Sequence, residues 1–287
     1  MAITPVRVCI AGVGLIGGSL GMALRRRKKG GRRMYFVTGL GRSKTKLALA
    51  KKRGAIDEGK TNARAALEEA DIVVMAMPVH RMPEFLRRNV KFFAPGAIVT
   101  DVGSVKGSVV NAARNILKKR PNISFVGGHP IAGSEKTGVE NARFDLFRDA
   151  VCVLTKDDAS FHGLEALRSL WIAAGSRCFL MTAADHDRHL ALTSHLPHLL
   201  AFALLSQADN AAADAPVIKS LAAGSFRDMT RIAGGDPDLW TGVIESNRDE
   251  IRRQLLAFQK ELRFFSAAPA KKIHARIQRI AQAKKKW

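Results

Sequence analysis

Val6-Arg7-Val8-Cys9-Ile10-Ala11-Gly12-Val13-Gly14-Leu15-Ile16-Gly17-Gly18-Ser19-Leu20 is an apolar run that meets spaced glycines where helical periodicity begins. The run predicts a buried strand, and the residues after the glycines predict a helix. Each glycine has its own role. Gly12 makes the tight turn, Gly14 lets backbone approach a pyrophosphate, and Gly17 brings helix against strand. The helix N-terminus adds unpaired N–H groups and the positive end of a dipole, which together hold phosphates. A lone glycine string carries little weight, but one set between strand and helix implies a dinucleotide site. Leu15 and Ile16 in the loop, and Pro78 after the third strand, join the three glycines in the expected cofactor-binding set.

Working outward, the same alternation repeats. Short apolar runs at 34–39, 72–77, 97–101, 124–127, 150–154 and 177–181 read as further strands, continuous enough to be covered on both faces. Helix-length stretches at 14–29, 44–53, 82–93, 106–120 and 159–175 separate most of them. The order predicts an α/β fold with a doubly wound, mostly parallel sheet. After Met181 the pattern changes. Thr182-Ala183-Ala184-Asp185 resembles a capping box with Asp in place of Glu, and a Leu- and Ala-rich, strand-free stretch continues through Gln207. Further helices are expected at 216–223, 237–265 and 270–286. The boundary therefore falls near Thr182, giving a dinucleotide-binding domain at 1–182 and an all-helical domain at 183–287. Helices this apolar cannot all be covered within so short a domain, so a homodimer through the helical half is expected.

Composition narrows the class. At 287 residues, with 47% hydrophobic and 25% charged, the chain fits a globular protein of two ordinary domains. No apolar run approaches the ~20 residues of a membrane span, and no signal-peptide order opens the chain, so a cytoplasmic location is expected. Cys9, Cys152 and Cys178 each lie in an apolar strand-like run, and their odd number and wide spacing read as buried thiols. The net charge of +22 raises nucleic acid as a partner. Yet the basic runs fall at predicted helix ends and surface turns, and aromatics are only 6% with no base-stacking strand, so neither nucleic acid nor membrane is expected. A positive field still raises the encounter rate with small polyanions.

Three turns carry the candidate chemistry. The second strand ends in Thr38-Gly39-Leu40-Gly41-Arg42-Ser43-Lys44, without the carboxylate that would hold an adenine ribose and repel a 2′-phosphate. Arg42 and Ser43 are the expected contacts there; NADP is permitted, and NAD still serves if Arg42 stacks on adenine. The fourth strand leads into Asp101-Val102-Gly103-Ser104-Val105-Lys106-Gly107, and the fifth into Gly127-Gly128-His129-Pro130. Both turns belong to the carboxyl edge of the sheet, which places Ser104 and His129 near the nicotinamide. An imidazole set among glycines and fixed by the following proline is well placed for proton transfer at neutral pH.

At these residues a resemblance becomes specific. The glycine loop, Asp101 to Lys106, Gly128 to Glu135, Ser194-His195-Leu196-Pro197-His198 and Asp228-Met229-Thr230-Arg231-Ile232-Ala233 together resemble the prephenate/arogenate dehydrogenase family of tyrosine biosynthesis, in order and over nearly the whole chain. The resemblance implies a Rossmann-type domain followed by a helical dimerisation domain, with the active site between them. It implies oxidative decarboxylation: hydride passes to the nicotinamide, CO₂ leaves, and the ring becomes aromatic. By motif match His129 is the base, Ser104 orients it, and Arg231 binds a substrate carboxylate. His195 and His198, three apart on one helix, are expected on one face, near the substrate side chain. Glu135, Thr137 and Trp240 are expected to line or close the cleft. His186 and His189 near His195 and His198 raise a metal site, but no clustered acid or cysteine completes a shell, so no metal is expected. A 3-hydroxyacid or imine dehydrogenase would instead place a Lys or a His–Glu pair where this chain has Ser104 and His129. Some family members take arogenate; prephenate is the default here. No further β-α pattern precedes Trp287, so neither a fused mutase nor a regulatory domain is expected.

Overall fold

In the computed structural model, which describes residues 4–133 and 136–286, the opening run is β1 (Val6–Ala11), and the chain turns at Gly12 into α1 (Leu15–Arg25). A basic hairpin, β2 (Lys28–Lys29) and β3 (Arg32–Arg33), comes next. Then come β4 (Tyr35–Leu40), α2 (Lys44–Lys52), β5 (Glu58–Lys60), α3 (Ala63–Leu67), β6 (Ile72–Met75) and α4 (Met82–Asn89). The domain continues through β7 (Ile98–Asp101), α5 (Gly107–Leu117) and β8 (Ser124–Val126). The strands stand in the order β5-β4-β1-β6-β7-β8, and each neighbouring pair is parallel. The winding reverses between β1 and β6, and the crevice at their carboxyl ends is where such sheets bind ligands.

Burial explains why these strands lack alternation. Val8 and Ile10 of β1 and Ile72 and Val74 of β6 enter the core on one face, while Cys9, Ala11, Val73 and Met75 enter the core on the other. Both faces are dry, so both sets must be apolar.

The spacing of strands implies one continuous sheet, but the last strands form another. β9 (Gly128–Pro130), β10 (Val151–Thr155), α6 (Phe161–Ala174) and β11 (Arg177–Met181) build a second sheet, ordered β11-β10-β9, with β9 antiparallel and β11 parallel to β10. The crossing from one sheet to the other is Gly127. A Cβ there would lie 2.8 Å from Thr155 Oγ1, which accepts a hydrogen bond from the Gly127 N–H at 3.0 Å. His129, expected in a turn, therefore sits on a strand opposite Val153.

The second half is helical: α7 (Ala183–Leu190), a π-turn (Ala191–His195), α8 (Leu196–Asp214), α9 (Val217–Leu221), α10 (Gly224–Thr230), a 3₁₀ turn (Arg231–Gly234), α11 (Pro237–Ser246), α12 (Arg248–Ala267) and α13 (Ala270–Lys284). Thr182 caps α7 as the box implied: its Oγ1 accepts from Asp185 N–H at 3.0 Å and donates to Asp185 Oδ2 at 2.7 Å. Two helices end earlier than periodicity indicated. The first stops at Arg25, because Gly30 and Gly31 at φ 56° and 76° turn the basic run into a hairpin. The helix expected over 237–265 breaks at Asn247, whose side chain is drawn into the interior. Cys9 and Cys152 are buried, and desolvation pushes the Cys9 thiol up to about 12; Cys178, on the edge strand β11, is only partly buried, contrary to expectation. Leu205, Leu221, Met229, Leu256, Leu262 and Ile277 stand exposed on the helical half. Among the described residues no helix is long and apolar enough to cross a membrane.

Candidate active site

The glycine loop has the shape its spacing implied. Gly12 has φ 103°, and a Cβ on it would lie 2.2 Å from the Ala76 carbonyl oxygen. A Cβ on Gly17 would lie 2.2 Å from the Gly12 oxygen, so α1 packs directly on the turn. Gly14 has nothing within 4 Å of its Cβ position, leaving open the approach to the N–H groups of Leu15 and Ile16 at the start of α1. A diphosphate fits this cradle. Pro78 lies after β6, at the start of the 3₁₀ turn Val79–Arg81. Just past β4 Arg42 is exposed, and the Ser43 hydroxyl caps α2 by accepting from Lys46 N–H at 3.2 Å.

Asp101, at the end of β7, clamps the Ser104 turn to the start of β9, which carries His129. Its Oδ2 accepts from the Gly103 N–H at 2.8 Å and its Oδ1 from the Gly128 N–H at 3.2 Å, the residues just before Ser104 and His129. The Lys106 ammonium donates to Asp101 Oδ2 and, at 2.8 Å, to the Gly128 carbonyl. Both charged side chains are fully buried. A buried lysine in the Asp101–Lys106 motif thus serves as a brace rather than a surface charge.

The helical half completes the surroundings of His129. Its Nδ1 lies 2.8 Å from His186 Nε2, and His186 Nδ1 lies 2.7 Å from Asp187 Oδ1. Asp187 in turn accepts the backbone N–H of Lys106 at 2.7 Å and of Gly107 at 2.8 Å. His129 keeps part of its surface accessible, whereas His186 is fully buried. Burial, reinforced by the Lys106 ammonium and by the neighbouring imidazole of His186, holds the His129 imidazole well below its ordinary value. Burial also lowers His186, against the opposing pull of Asp187. Both rings are neutral at pH 7.

The π-turn decides how His195 and His198 are used. Both rings meet Trp240, His198 stacked at a centroid distance of 3.7 Å and His195 edge-on at 6.3 Å. They share a face as expected, but His195 is fully buried instead of open to a cleft. Its Nδ1 faces Asn247 Nδ2 at 3.1 Å, and burial lowers its pKa to about 4. Asn247 also donates to the Asp187 carbonyl at 2.9 Å, which is why the helix breaks there. Arg231 is exposed at the start of its 3₁₀ turn, which packs on α8. On the Rossmann side, Arg81 pairs with Asp238 of α11 at 3.1 Å, bridging the turn after Pro78 to the helix that carries Trp240. Glu135 lies outside the described residues, and Thr137 is exposed. From sequence His186 was raised only as a metal candidate and Lys106 only as the end of a motif, while Asp187 and Asn247 were not singled out at all. Among the described residues no cluster of His, Cys, Asp or Glu could hold a metal ion.

Comparison with known proteins agrees with this architecture. Residues 20–180 match the family model for the prephenate dehydrogenase nucleotide-binding domain, and residues 182–279 match that for the prephenate dehydrogenase dimerization domain. Prephenate dehydrogenase of Lactococcus lactis is 35% identical over 89% of this chain, and that of Bacillus subtilis 34% over 85%; the chain spans 69% and 65% of those relatives' own lengths. The crystal structure of Aquifex aeolicus prephenate dehydrogenase with hydroxyphenyl propionate and NAD+ superposes with a TM-score of 0.87 at 30% identity, covering 100% of this chain and 98% of that one. With two matched domains, a dinucleotide cradle and an imidazole at the sheet's carboxyl edge, the chain belongs to the prephenate dehydrogenase family of nicotinamide-dependent oxidoreductases.

Proposed function

We propose that the chain oxidises and decarboxylates prephenate to 4-hydroxyphenylpyruvate with NAD or NADP, as a cytoplasmic homodimer. The observation that carries this reading is a neutral, partly accessible His129 tied through Asp101 to the Ser104 turn, in a chain that also carries the dinucleotide cradle. Bound nicotinamide supplies the hydride acceptor. His129 takes the proton of the ring hydroxyl as hydride departs, and Ser104 holds that hydroxyl toward it. General-base help of this kind is worth about 10²–10⁴-fold. Aromatisation drives loss of CO₂, which leaves the protein to align the reactants and exclude water.

The substrate is a dianion. Arg231 offers an exposed guanidinium whose planar fork matches a carboxylate, and the His198–Trp240 stack walls the same side. His195 supports Trp240 from behind. Residues 1–182 hold the cofactor and 183–287 the substrate and the second copy, whose contact would cover the exposed apolar side chains of the helical half.

The test is purified protein with prephenate and either cofactor, followed by absorbance of the reduced nicotinamide, then repeated with His129→Asn. Loss of about 10²-fold or more in kcat is expected. Turnover of the variant within a few-fold of the parent would overturn the assignment.

A further inference from the structure

The hydrogen bonds around His186 give the His129 imidazole a direction. Asp187 Oδ1 accepts from the Lys106 N–H and Oδ2 from the Gly107 N–H, where α5 begins. Both oxygens are therefore acceptors, and the His186 Nδ1 that lies 2.7 Å from Oδ1 must carry a hydrogen. A neutral imidazole has one N–H, so His186 Nε2 is a lone pair. That lone pair lies 2.8 Å from His129 Nδ1, which must then donate. The ring centroids are 5.1 Å apart at 66°, an edge-on meeting with the bond near the ring planes. The second ring is fully buried, which bars water from taking its place.

We propose that His186 and Asp187 fix the tautomer of His129, with the hydrogen on Nδ1, and so make Nε2 the atom that takes the substrate hydroxyl proton. This rests on the reading of His129 as the base. Donation runs one way, from His129 to His186 to Asp187, and the helix α5 N–H groups anchor its far end. When Nε2 takes its proton, the Nδ1 hydrogen stays in place, and the new charge is met by the His186 lone pair with Asp187 behind it. His186 touches no reacting atom; it is a positioning residue. It also joins the halves of the protein, because it comes from α7 whereas His129 comes from β9.

Two variants and two readouts test this. His186→Phe keeps a planar ring and removes the acceptor; His186→Gln restores an acceptor oxygen at that reach. In substrate-free protein labelled with ¹⁵N-histidine, with His129 assigned by comparison with His129→Asn, the His129 ring is expected to show a protonated Nδ1 and a bare Nε2. His186→Phe is expected to lower kcat by about 10–100-fold, as loss of an orienting partner does, with KM for prephenate within about threefold. His186→Gln is expected to recover most of that loss. A parent His129 with its hydrogen on Nε2 would overturn the proposal, as would a His186→Phe protein with kcat within about twofold of the parent or altered only in KM. Should His186→Phe not fold, the parent spectrum and the Gln variant decide. Full turnover by His129→Asn would remove the base assignment and leave the tautomer reading to the spectrum, so the two failures are distinct.

Discussion

Replacing Lys106 by Met isolates the buried brace between the Ser104 turn and the β9 strand that carries His129. Met preserves much of the aliphatic stem and removes the ammonium. Asp101, fully buried, would keep only its two backbone donors from Gly103 and Gly128, and the Gly128 carbonyl would lose the donor that now lies at 2.8 Å. Breaking a buried pair by removing one partner costs about 3–5 kcal/mol, because the remaining charge has left water without full compensation. For a chain of this size about 2–4 °C accompanies each kcal/mol, so the thermal midpoint should fall by roughly 6–20 °C. Lys119→Met, at an exposed site on the same domain, should change stability by no more than about 0.5 kcal/mol. Differential scanning calorimetry of the three proteins at about pH 7.5 is the assay. A midpoint drop below about 2 °C for Lys106→Met would show that the backbone donors suffice for Asp101. Lys106 would then be no brace.

Gly17→Ala would set a Cβ 2.2 Å from the Gly12 oxygen and shift the loop, so cofactor affinity measured by fluorescence titration should fall sharply; unchanged affinity would refute the cradle. Gly41 has its nearest Cβ contact, Leu47, at 3.4 Å, so Gly41→Asp should fold normally while losing NADP use and retaining NAD use, read as kcat/KM for each cofactor. Arg231→Ala should raise KM for prephenate by at least about tenfold, the usual worth of a charged hydrogen bond, and equal KM values would remove its role. His186 and His195 are held below the ordinary 6.5, the latter at about 4, so the unfolded chain binds more protons than the folded one in that interval. Stability should therefore fall as pH drops through 6.5, by up to about 1.4 kcal/mol per pH unit for each group; a midpoint flat between about pH 7.5 and 5 would contradict the burial of these rings.

Much of the cofactor half was legible from sequence because its signals are local. A strand buried on both faces reads as an unbroken apolar run, and a turn that admits no Cβ reads as glycine, as at Gly12 and Gly17. Thr182 announced its helix through a side chain that bonds three residues away. His129 and Ser104 were proposed from the glycine-rich stretches that follow strands; the structure puts the first on β9 and ties both segments to Asp101. The short elements β5, α3 and α10 gave no such signal, since so few residues carry no period.

The contacts that make His129 more than an isolated imidazole join distant parts of the chain, and no local pattern encodes them. His186 is 57 residues away, and Asp187 is 81 residues from the Lys106 N–H that it accepts. Lys106, at the end of a motif, and Asn247, inside a predicted helix, carried no mark of burial until packing enclosed them. By itself the sequence determined which segments wind into the dinucleotide-binding sheet and where the strand pattern gives way to helices. Only the tertiary structure decided that the later strands form a sheet of their own, which charges are buried, and which way the proton donors run. Periodicity and turn chemistry act over a few residues, whereas desolvation and hydrogen-bond pairing depend on what folding brings together.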